Sequence, residues 1–323
     1  MTHISSRQEK LNTLLGGIAI LLWSSSIASM RGLVEDLGVV TAAASSQLLG
    51  GIVGLLYIGL YQRKLRALFQ LPWPYLIGGS VLITVYLDCL YMALGSTASR
   101  RPVLDIGLIN YLWPGLTLLL AVPLLHRRLR PGLLIGVLLS FAGVAVSTFQ
   151  QGVPSWAQFA ENTRGHWLAY LLALTAAVAW ALYSNVSRKW ASIATVSGMP
   201  LFIFIAGAVM ALGRLLLPAP APHWTAHAWV SLLFQALGPT LLGYIFWDYG
   251  VRGGRLMLLA SLSNLIPLFS TLISSAYLHI PLGPAIWAAM ALIIGGAALC
   301  NLSASEQDDG KEPEANSRKP NAI

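Results

Sequence analysis

Charged residues are scarce in this chain of 323 residues, where Asp, Glu, Lys and Arg together make up only 10%. A soluble domain carries about 25% charged residues. Hydrophobic residues make up 56%, and the mean hydropathy is +0.68. This composition excludes an ordinary soluble domain. The net charge of +8 does not indicate nucleic-acid binding, because the basic residues lie in short loops between apolar runs.

Side chains that carry enzymatic or metal chemistry are also few. The two cysteines, Cys89 and Cys300, both lie within apolar runs, which gives no support for a disulfide. The six histidines lie in the N-terminal segment, in loops or at the ends of apolar runs, without the spacing of metal ligands. The sequence has no P-loop motif. It therefore predicts no enzyme, no metal or other cofactor and no ATP-driven pump.

Apolar runs are what the chain has in abundance: there are about ten, each of roughly 20 residues, the length that crosses a bilayer. We predict an all-α polytopic membrane protein with ten transmembrane helices. The predicted parts are a cytoplasmic N-terminal segment at 1–10, a first five-helix unit at 11–149, an external loop at 150–165, a second five-helix unit at 166–302 and a disordered cytoplasmic tail at 303–323.

The basic residues predict the orientation of the chain. If the N-terminus is cytoplasmic, fifteen Lys and Arg residues fall on the inner side and five on the outer side, which accounts for all 20. Cytoplasmic loops carry an excess of Lys and Arg. We therefore expect both termini in the cytoplasm.

The stretch from Asn110 to Pro114, Asn-Tyr-Leu-Trp-Pro, interrupts an apolar run from about Val103 to Leu125. Proline has no N–H group and clashes with the preceding turn, so the carbonyl group of Asn110 loses its helical partner. An unpaired backbone group is costly in hydrocarbon. We predict a broken helix beside a cavity, and a simple Pro kink with Trp packed between helices is the alternative.

The second half of the sequence repeats this device. Pro114 and Pro131 are 17 residues apart, and so are Pro267 and Pro284. An Asn precedes the first proline of each pair. Because each unit has an odd number of spans, the two units insert with opposite orientations. The pattern predicts a five-plus-five inverted repeat, which is typical of transporters with a site near the membrane midplane, and it makes Pro114 and Pro267 equivalent hinges.

Four tryptophans lie deeper in the apolar runs than the interface belt explains. Buried indoles usually need a partner for their N–H group. With nearby tyrosine and amide side chains they predict an aromatic, neutral cavity, and ordinary helix packing is the alternative. The predicted substrate-binding residues are Trp23, Tyr86, Tyr91, Asn110, Trp113, Trp180, Tyr183, Trp247, Ser263 and Asn264.

Asp88 is the only carboxylate placed well inside a predicted span. An ionised carboxylate at the centre of a bilayer costs a few kcal/mol and is often functional. It can bind the amine of a substrate or carry a coupling proton. It can also simply accept hydrogen bonds from neighbouring helices. The sequence leaves these alternatives open.

Three motifs carry a resemblance to a known family: Ile20-Leu-Leu-Trp23-Ser24, Gly107-Leu-Ile-Asn-Tyr-Leu-Trp-Pro114 and Trp180-Ala-Leu-Tyr183. Together with the Gly- and Ala-rich fifth and tenth spans, they resemble the drug/metabolite transporter superfamily, whose fold is called EamA-like. Within it they are similar to the aromatic amino acid exporters. The resemblance runs from about residue 11 to residue 302.

The resemblance implies a transporter that exports Phe, Tyr and Trp, and related compounds, across a bacterial inner membrane. For this chain we predict export of these and related amino acids by alternating access, and a monomer. Its partners are then the small-molecule substrate and the lipid bilayer, with no nucleic acid. It implies that a central cavity is lined at Trp23, Tyr86, Tyr91, Trp113, Trp180 and Ser263. A proton-coupled exporter of drugs or other small metabolites is the alternative, for which Asp88 is the candidate acidic residue.

Overall fold

The computed structural model describes residues 6–124, 131–147, 156–190, 196–216, 220–254, 259 and 262–309. Within these residues every regular element is a helix. The helices of the first half are α1 (Ser6–Leu37), α2 (Val39–Leu56), α3 (Leu65–Leu68), α4 (Trp73–Gly95), α5 (Pro102–Asn110), α6 (Trp113–Leu124) and α7 (Pro131–Ser147).

The second half is built in the same way. Its helices are α8 (Trp156–Trp190), α9 (Met199–Leu216), α10 (Ala226–Leu237), α11 (Gly243–Gly253), α12 (Ile266–Leu278) and α13 (Pro284–Asp309). Two π-helical turns, Tyr57–Tyr61 and Gly238–Leu242, continue α2 and join α10 to α11.

Seven helical segments are long and apolar enough to cross a membrane. They are Arg7–Leu37, Val39–Tyr61, Trp73–Gly95, Pro102–Leu124, Thr163–Ser187, Met199–Leu216 and Ala226–Trp247. Three shorter apolar helices cover Pro131–Ser147, Ile266–Leu278 and Pro284–Cys300. The all-helical, membrane-spanning character predicted from the sequence is therefore confirmed, whereas the count of ten spans stays a prediction.

Two predicted irregular segments are partly helical. Of the external loop expected at 150–165, residues 156–165 belong to α8, which has a kink at His166 (φ −128°). Of the tail expected to be disordered at 303–323, residues 303–309 continue α13. Residues 148–155 and 310–323 lie outside the described part of the chain. Polar sequence alone did not mark the ends of these two helices.

Helix starts follow the local sequence. Pro74 is the second residue of α4, and Pro102 is the first residue of α5. At these positions a missing N–H group costs nothing, because the first N–H groups of a helix have no partner within it. The side chain of Thr225 caps α10 by accepting a hydrogen bond of 3.1 Å from the backbone N–H of Ala228.

The predicted break in the fourth span is present. α5 ends at Asn110, and α6 begins at Trp113 after the turn of Tyr111 and Leu112. The carbonyl oxygens of Gly107 and Ile109 accept from the N–H groups of Tyr111 (2.9 Å) and Leu112 (3.1 Å). Pro114 is the second residue of α6, as Pro267 is of α12.

The helices pack in pairs across the two halves. α7 lies against α13, α2 against α9, α4 against α8, and α1 against both α11 and α12. Glycines allow the closest approach between α7 and α13. A Cβ atom on Gly136 would lie less than 3.0 Å from the carbonyl oxygen of Gly296, and a Cβ atom on Gly296 equally close to the carbonyl oxygen of Gly136. Such small residues let helix backbones touch in a membrane.

Candidate functional site

A cavity lies inside the bundle, next to the break between α5 and α6 and to the π turn between α10 and α11. The volume open to the centre of a water molecule is about 50 Å³. α1, α2, α4, α8 and the segments around both breaks contribute to its wall. The lining residues are Trp23, Ser26, Ile27, Met30, Gln47, Tyr86, Leu87, Leu90, Tyr91, Asn110, Tyr111, Trp113, Trp180, Gln235, Pro239, Thr240, Tyr244 and Ile266.

Six of the ten predicted site residues are brought together in this lining. They are Trp23, Tyr86, Tyr91, Asn110, Trp113 and Trp180. They come from α1, α4, the α5–α6 break and α8. The four regions are distant in sequence, so the agreement depends on the packing of the whole bundle.

The other four predicted residues are not in the lining. The Tyr183 hydroxyl lies 3.2 Å from that of Tyr75, because this face of α8 turns towards α4 and α9. Trp247 packs behind Trp23, at 5.3 Å between ring centroids. Ser263 and Asn264 precede α12, whose first residue, Ile266, lines the cavity. The contribution of these four residues to substrate binding stays a prediction.

Trp180 is the hub of the aromatic wall. Its ring centroid lies 4.9 Å from that of Tyr86, 6.2 Å from Trp113, 6.3 Å from Trp23 and 5.6 Å from Tyr244. The two Trp contacts are edge-to-face, with interplanar angles of 80° and 77°. Each such pair contributes about 0.5–1.5 kcal/mol beyond area burial. The contacts among these rings therefore keep the cavity narrow.

Three buried polar atoms in the lining have no hydrogen-bond partner among the residues that the structure describes. They are Nε1 of Trp23, Oε1 of Gln47 and Oδ1 of Asn110. Gln47 is 1% exposed and Asn110 is 4% exposed. A buried polar atom without a partner costs about 1–3 kcal/mol. The residues that line the cavity thus carry one donor and two acceptors without a partner in the described part of the chain.

Sequence reasoning missed the polar contribution of α2, α10 and the π turn after α10. Gln235 Nε2 donates to Thr240 Oγ1 at 3.3 Å, and Ser29 Oγ hydrogen-bonds to Gln235 Oε1. Tyr244, which also lines the cavity, was missed as well. Buried polar groups inside an apolar span mark the interior of a bundle. The amides of Gln47 and Gln235 were therefore signals that the sequence already carried.

Asp88 lies one side chain away from the cavity. It is 9% exposed, and its Oδ1 accepts a hydrogen bond of 3.1 Å from Nε2 of Gln47. Gln47 itself lines the cavity, so this hydrogen bond connects Asp88 to the cavity wall.

The model of the EamA-like transporter family matches residues 11–149 and 167–302, most of the chain. The chain belongs to the EamA-like transporter family. The resemblance read from the three motifs is thereby confirmed. As an EamA-like transporter, the chain is a multi-pass membrane protein that moves a small molecule, and not an enzyme.

Curated relatives of this EamA-like transporter carry more specific names. It is 30% identical over 292 residues to the aromatic amino acid exporter YddG of Escherichia coli K12, covering 90% of this chain and 97% of the relative. It is 32% identical to the aromatic amino acid exporter YddG of Ancylobacter novellus, with the same coverage. It is 28% identical to the uncharacterized transporter YvbV of Bacillus subtilis, covering 91% of this chain and 92% of that relative.

A crystal structure of a protein 29% identical to this chain has the same fold. The TM-score is 0.65, and the match covers 92% of this chain and 99% of the other. In the described part of the present chain, no group of three or more His, Cys, Asp or Glu side chains is placed to hold a metal ion.

The end of the bundle that carries Glu35, which we call the Glu35 end, is held by charged contacts. Arg31 donates to the carbonyl oxygens of Leu94 (2.5 Å) and Thr97 (2.9 Å) and to Glu35 (2.8 Å). Arg100 donates to Glu35 at 2.6 Å and to the carbonyl oxygen of Leu278 at 3.3 Å. Its hydrogen bond with Glu35 raises the pKa of Arg100 above its ordinary value.

A second contact at the Glu35 end joins α1 to the start of α10. His227 Nδ1 lies 2.8 Å from Asp36 Oδ2, and His227 Nε2 lies 3.4 Å from the hydroxyl of Tyr277. These contacts therefore connect four helices, α1, α4, α10 and α12, at the Glu35 end.

Proposed function

We propose that this EamA-like transporter exports aromatic amino acids and related amino acids across the bacterial inner membrane by alternating access through the central cavity. The observation that carries the proposal is the pairing of an aromatic wall with unsatisfied neutral polar atoms in one cavity. The curated relatives named as aromatic amino acid exporters support the same substrate class.

The chemistry of a zwitterion fits the unsatisfied atoms. Its ammonium group donates to Oε1 of Gln47 and Oδ1 of Asn110, and its carboxylate accepts from Nε1 of Trp23. The aromatic ring of the substrate packs against Trp180. Because these protein groups are neutral, the site binds both substrate charges without burying a net charge of its own.

The size of the cavity requires a change of conformation. One water molecule needs about 10–15 Å³ of such space, so the 50 Å³ open to water centres holds only a few waters. A phenylalanine side chain needs far more space than these few waters. The aromatic rings around Trp180 must separate before a substrate can bind, as alternating access demands.

The proposal includes ten spans arranged as a five-plus-five inverted repeat, with both termini in the cytoplasm and a monomeric state. Two observations support the repeat. The family model matches in two segments, 11–149 and 167–302. In the repeat, α1, α2, α4 and α7 of the first unit correspond to α8, α9, α11 and α13 of the second. When each helix is replaced by its counterpart, the contacts α2–α9 and α7–α13 map onto themselves, and the contact α4–α8 maps onto α11–α1, which is also present.

Initial uptake of labelled Phe and Ala into proteoliposomes tests the substrate class. Trp180→Ala should lower Phe transport about tenfold more than Ala transport, the equivalent of one or two lost aromatic contacts. Trp180→Phe keeps a ring and should restore most of the Phe rate. Trp287→Ala, a 49% exposed position on α13, should leave the ratio unchanged. Equal losses for both amino acids in Trp180→Ala would contradict an aromatic-substrate site.

A proton-coupled exporter of drugs is the second candidate, favoured by the contact of buried Asp88 with Gln47. Asn at position 88 still offers an oxygen to Gln47 Nε2 but cannot become charged. If the protein is a proton-coupled drug exporter, Asp88→Asn should abolish proton-driven efflux of cationic drugs. If it exports aromatic amino acids without proton transfer at Asp88, Asp88→Asn should leave uptake of Phe within about twofold. Loss of both Phe transport and its pH dependence would indicate that Asp88 couples Phe transport to protons.

A further inference from the structure

A second cavity lies at the opposite end of the bundle from Glu35. α2 and its π turn run from Val39, next to Glu35 and Asp36, to Tyr61, a rise of roughly 35 Å over 23 residues. The cavity opens beside this far end, which carries Lys64 and which we call the Lys64 end. The volume open to water centres there is about 190 Å³, several times more than in the central cavity.

The two cavities share one wall residue, Tyr244. Its ring packs on Trp23 at 5.3 Å and on Trp180 at 5.6 Å on the central side. The same residue borders the second cavity together with Ile245 and Leu241. Tyr244 therefore lies between a narrow cavity and a wide one.

Both π turns face the second cavity. Tyr57 and Ile58 come from the turn after α2, and Leu241 comes from the turn between α10 and α11. π turns inside helices are frequent at functional sites, because the additional residue widens the helix locally. The wide space at this end follows from these two insertions.

The lining combines flat rings with one cation. The Tyr57 hydroxyl lies 3.4 Å from that of Tyr249, and the Tyr57 ring stacks on Tyr61 at 5.3 Å. Lys64 also lines the cavity, and its backbone N–H donates to the carbonyl oxygen of Ile58 at 3.0 Å. Arg63 has a positive φ of 54°, so the chain turns sharply just before Lys64. Among the described residues, no carboxylate forms a salt bridge with Lys64.

We propose that the second cavity is a loading site, at which an aromatic amino acid binds through its ring at Tyr57 and Tyr249 and through its carboxylate at Lys64 before Tyr244 admits it to the central cavity. The inference rests on the proposed function and on its orientation, which places Lys64 in the cytoplasm. It adds a second binding position and a residue that selects for the carboxylate.

Uptake of labelled Phe into inside-out membrane vesicles, which expose the cytoplasmic face, tests the loading site. Lys64→Gln should raise KM about threefold, the size of one exposed charge pair, with Vmax unchanged because the central cavity is intact. Lys64→Arg, which keeps the charge, should retain the KM of the wild type. Arg66→Gln removes another exposed charge from the same segment, outside the cavity lining, and its KM should not change.

Three results would overturn the loading site while the proposed function stands: an unchanged KM in Lys64→Gln, an equal rise in Arg66→Gln, or a fall in Vmax at constant KM. The second result would mean that the surface charge acts as a whole. If vesicles with the wild-type protein take up no more Phe than vesicles without it, the proposed function fails and the loading site fails with it.

Discussion

The Glu35 end and the Lys64 end of the bundle are held together by different forces. At the Glu35 end a buried guanidinium, two ion pairs and backbone carbonyl oxygens join α1, α4 and α12, and His227 joins α10 to α1. At the Lys64 end tyrosine hydroxyls meet at 3.4 Å around a water-accessible cavity. Hydrogen bonds to a charged group contribute more than neutral ones. The structure is therefore shut at the Glu35 end and loosely closed at the Lys64 end.

In the proposed alternating-access cycle, the charged contacts at the Glu35 end must break before substrate leaves at that end. Variants at either end, or at the central prolines, test this contrast.

Arg31→Met should have the largest effect. Arg31 is 5% exposed, and its loss leaves Glu35 and two carbonyl oxygens without their buried donor. We expect a loss of about 3 kcal/mol in the free energy of unfolding, measured by thermal unfolding of the purified protein in detergent. Tyr61→Ala at the Lys64 end, at a side chain 78% exposed, should cost less than about 0.5 kcal/mol. Equal costs at both ends would remove the contrast between them.

Glu35→Gln should weaken the Glu35 end without unfolding the protein. Gln keeps an acceptor for Arg31 and Arg100 but loses the charge, at a cost of about 1 kcal/mol. A cysteine at buried Thr97, in a chain without Cys89 and Cys300, should then react about fivefold faster with an impermeant thiol reagent. An unchanged labelling rate would show that Glu35 does not keep this end shut.

His227→Ala should have a smaller effect on the same assay. The side chain of His227 is 60% exposed, so its contact with Asp36 is screened by solvent. We expect a rise in labelling at Thr97→Cys of less than about twofold. A larger rise than in Glu35→Gln would mean that the contact between α1 and α10, rather than the buried network, closes this end.

Pro114→Ala and Pro267→Ala should change stability least, because each proline is the second residue of its helix, where no N–H group is needed. If these prolines are hinges between the two ends, Phe transport should fall while the amount of folded protein in the membrane stays near that of the wild type. Normal transport by both variants would assign the prolines only to the start of a helix.

Much of the fold was accessible from the sequence because hydrocarbon imposes strong rules. Long apolar runs that cross a membrane are expected to be helices, and a proline in the middle of one removes a backbone hydrogen bond and kinks or breaks the helix. The turn at Tyr111 and Leu112 and the cavity position of Asn110 and Trp113 follow from these rules. The interruption of the helix was a local property, so a local motif could predict it.

The remaining site depended on how far each helix is rotated about its axis. Tyr183 is three residues after Trp180, yet it contacts α4 and α9 because α8 is wedged between two clusters. Tyr244 and Gln47 reach the cavity because the π turn and the glycine contacts of α2 set their direction. How far apart the aromatic rings lie, and therefore how narrow the cavity is, depends on helix packing, which residue types alone do not specify.

Gly136 and Gly296 touch through their backbones, because each would strike the carbonyl oxygen of the other if it carried a side chain. In the register that pairs Pro131 with Pro284, exchange of the two helices turns this contact into that of Gly143 with Ala289, and a Cβ atom on Gly143 would lie less than 3.0 Å from the carbonyl oxygen of Ala289. Contacts exchanged in this way are typical of an isologous interface, in which two identical subunits meet about a two-fold axis. Under the proposed inverted repeat, α7 and α13 meet as the two copies of a homodimer would, although both belong to one covalent chain.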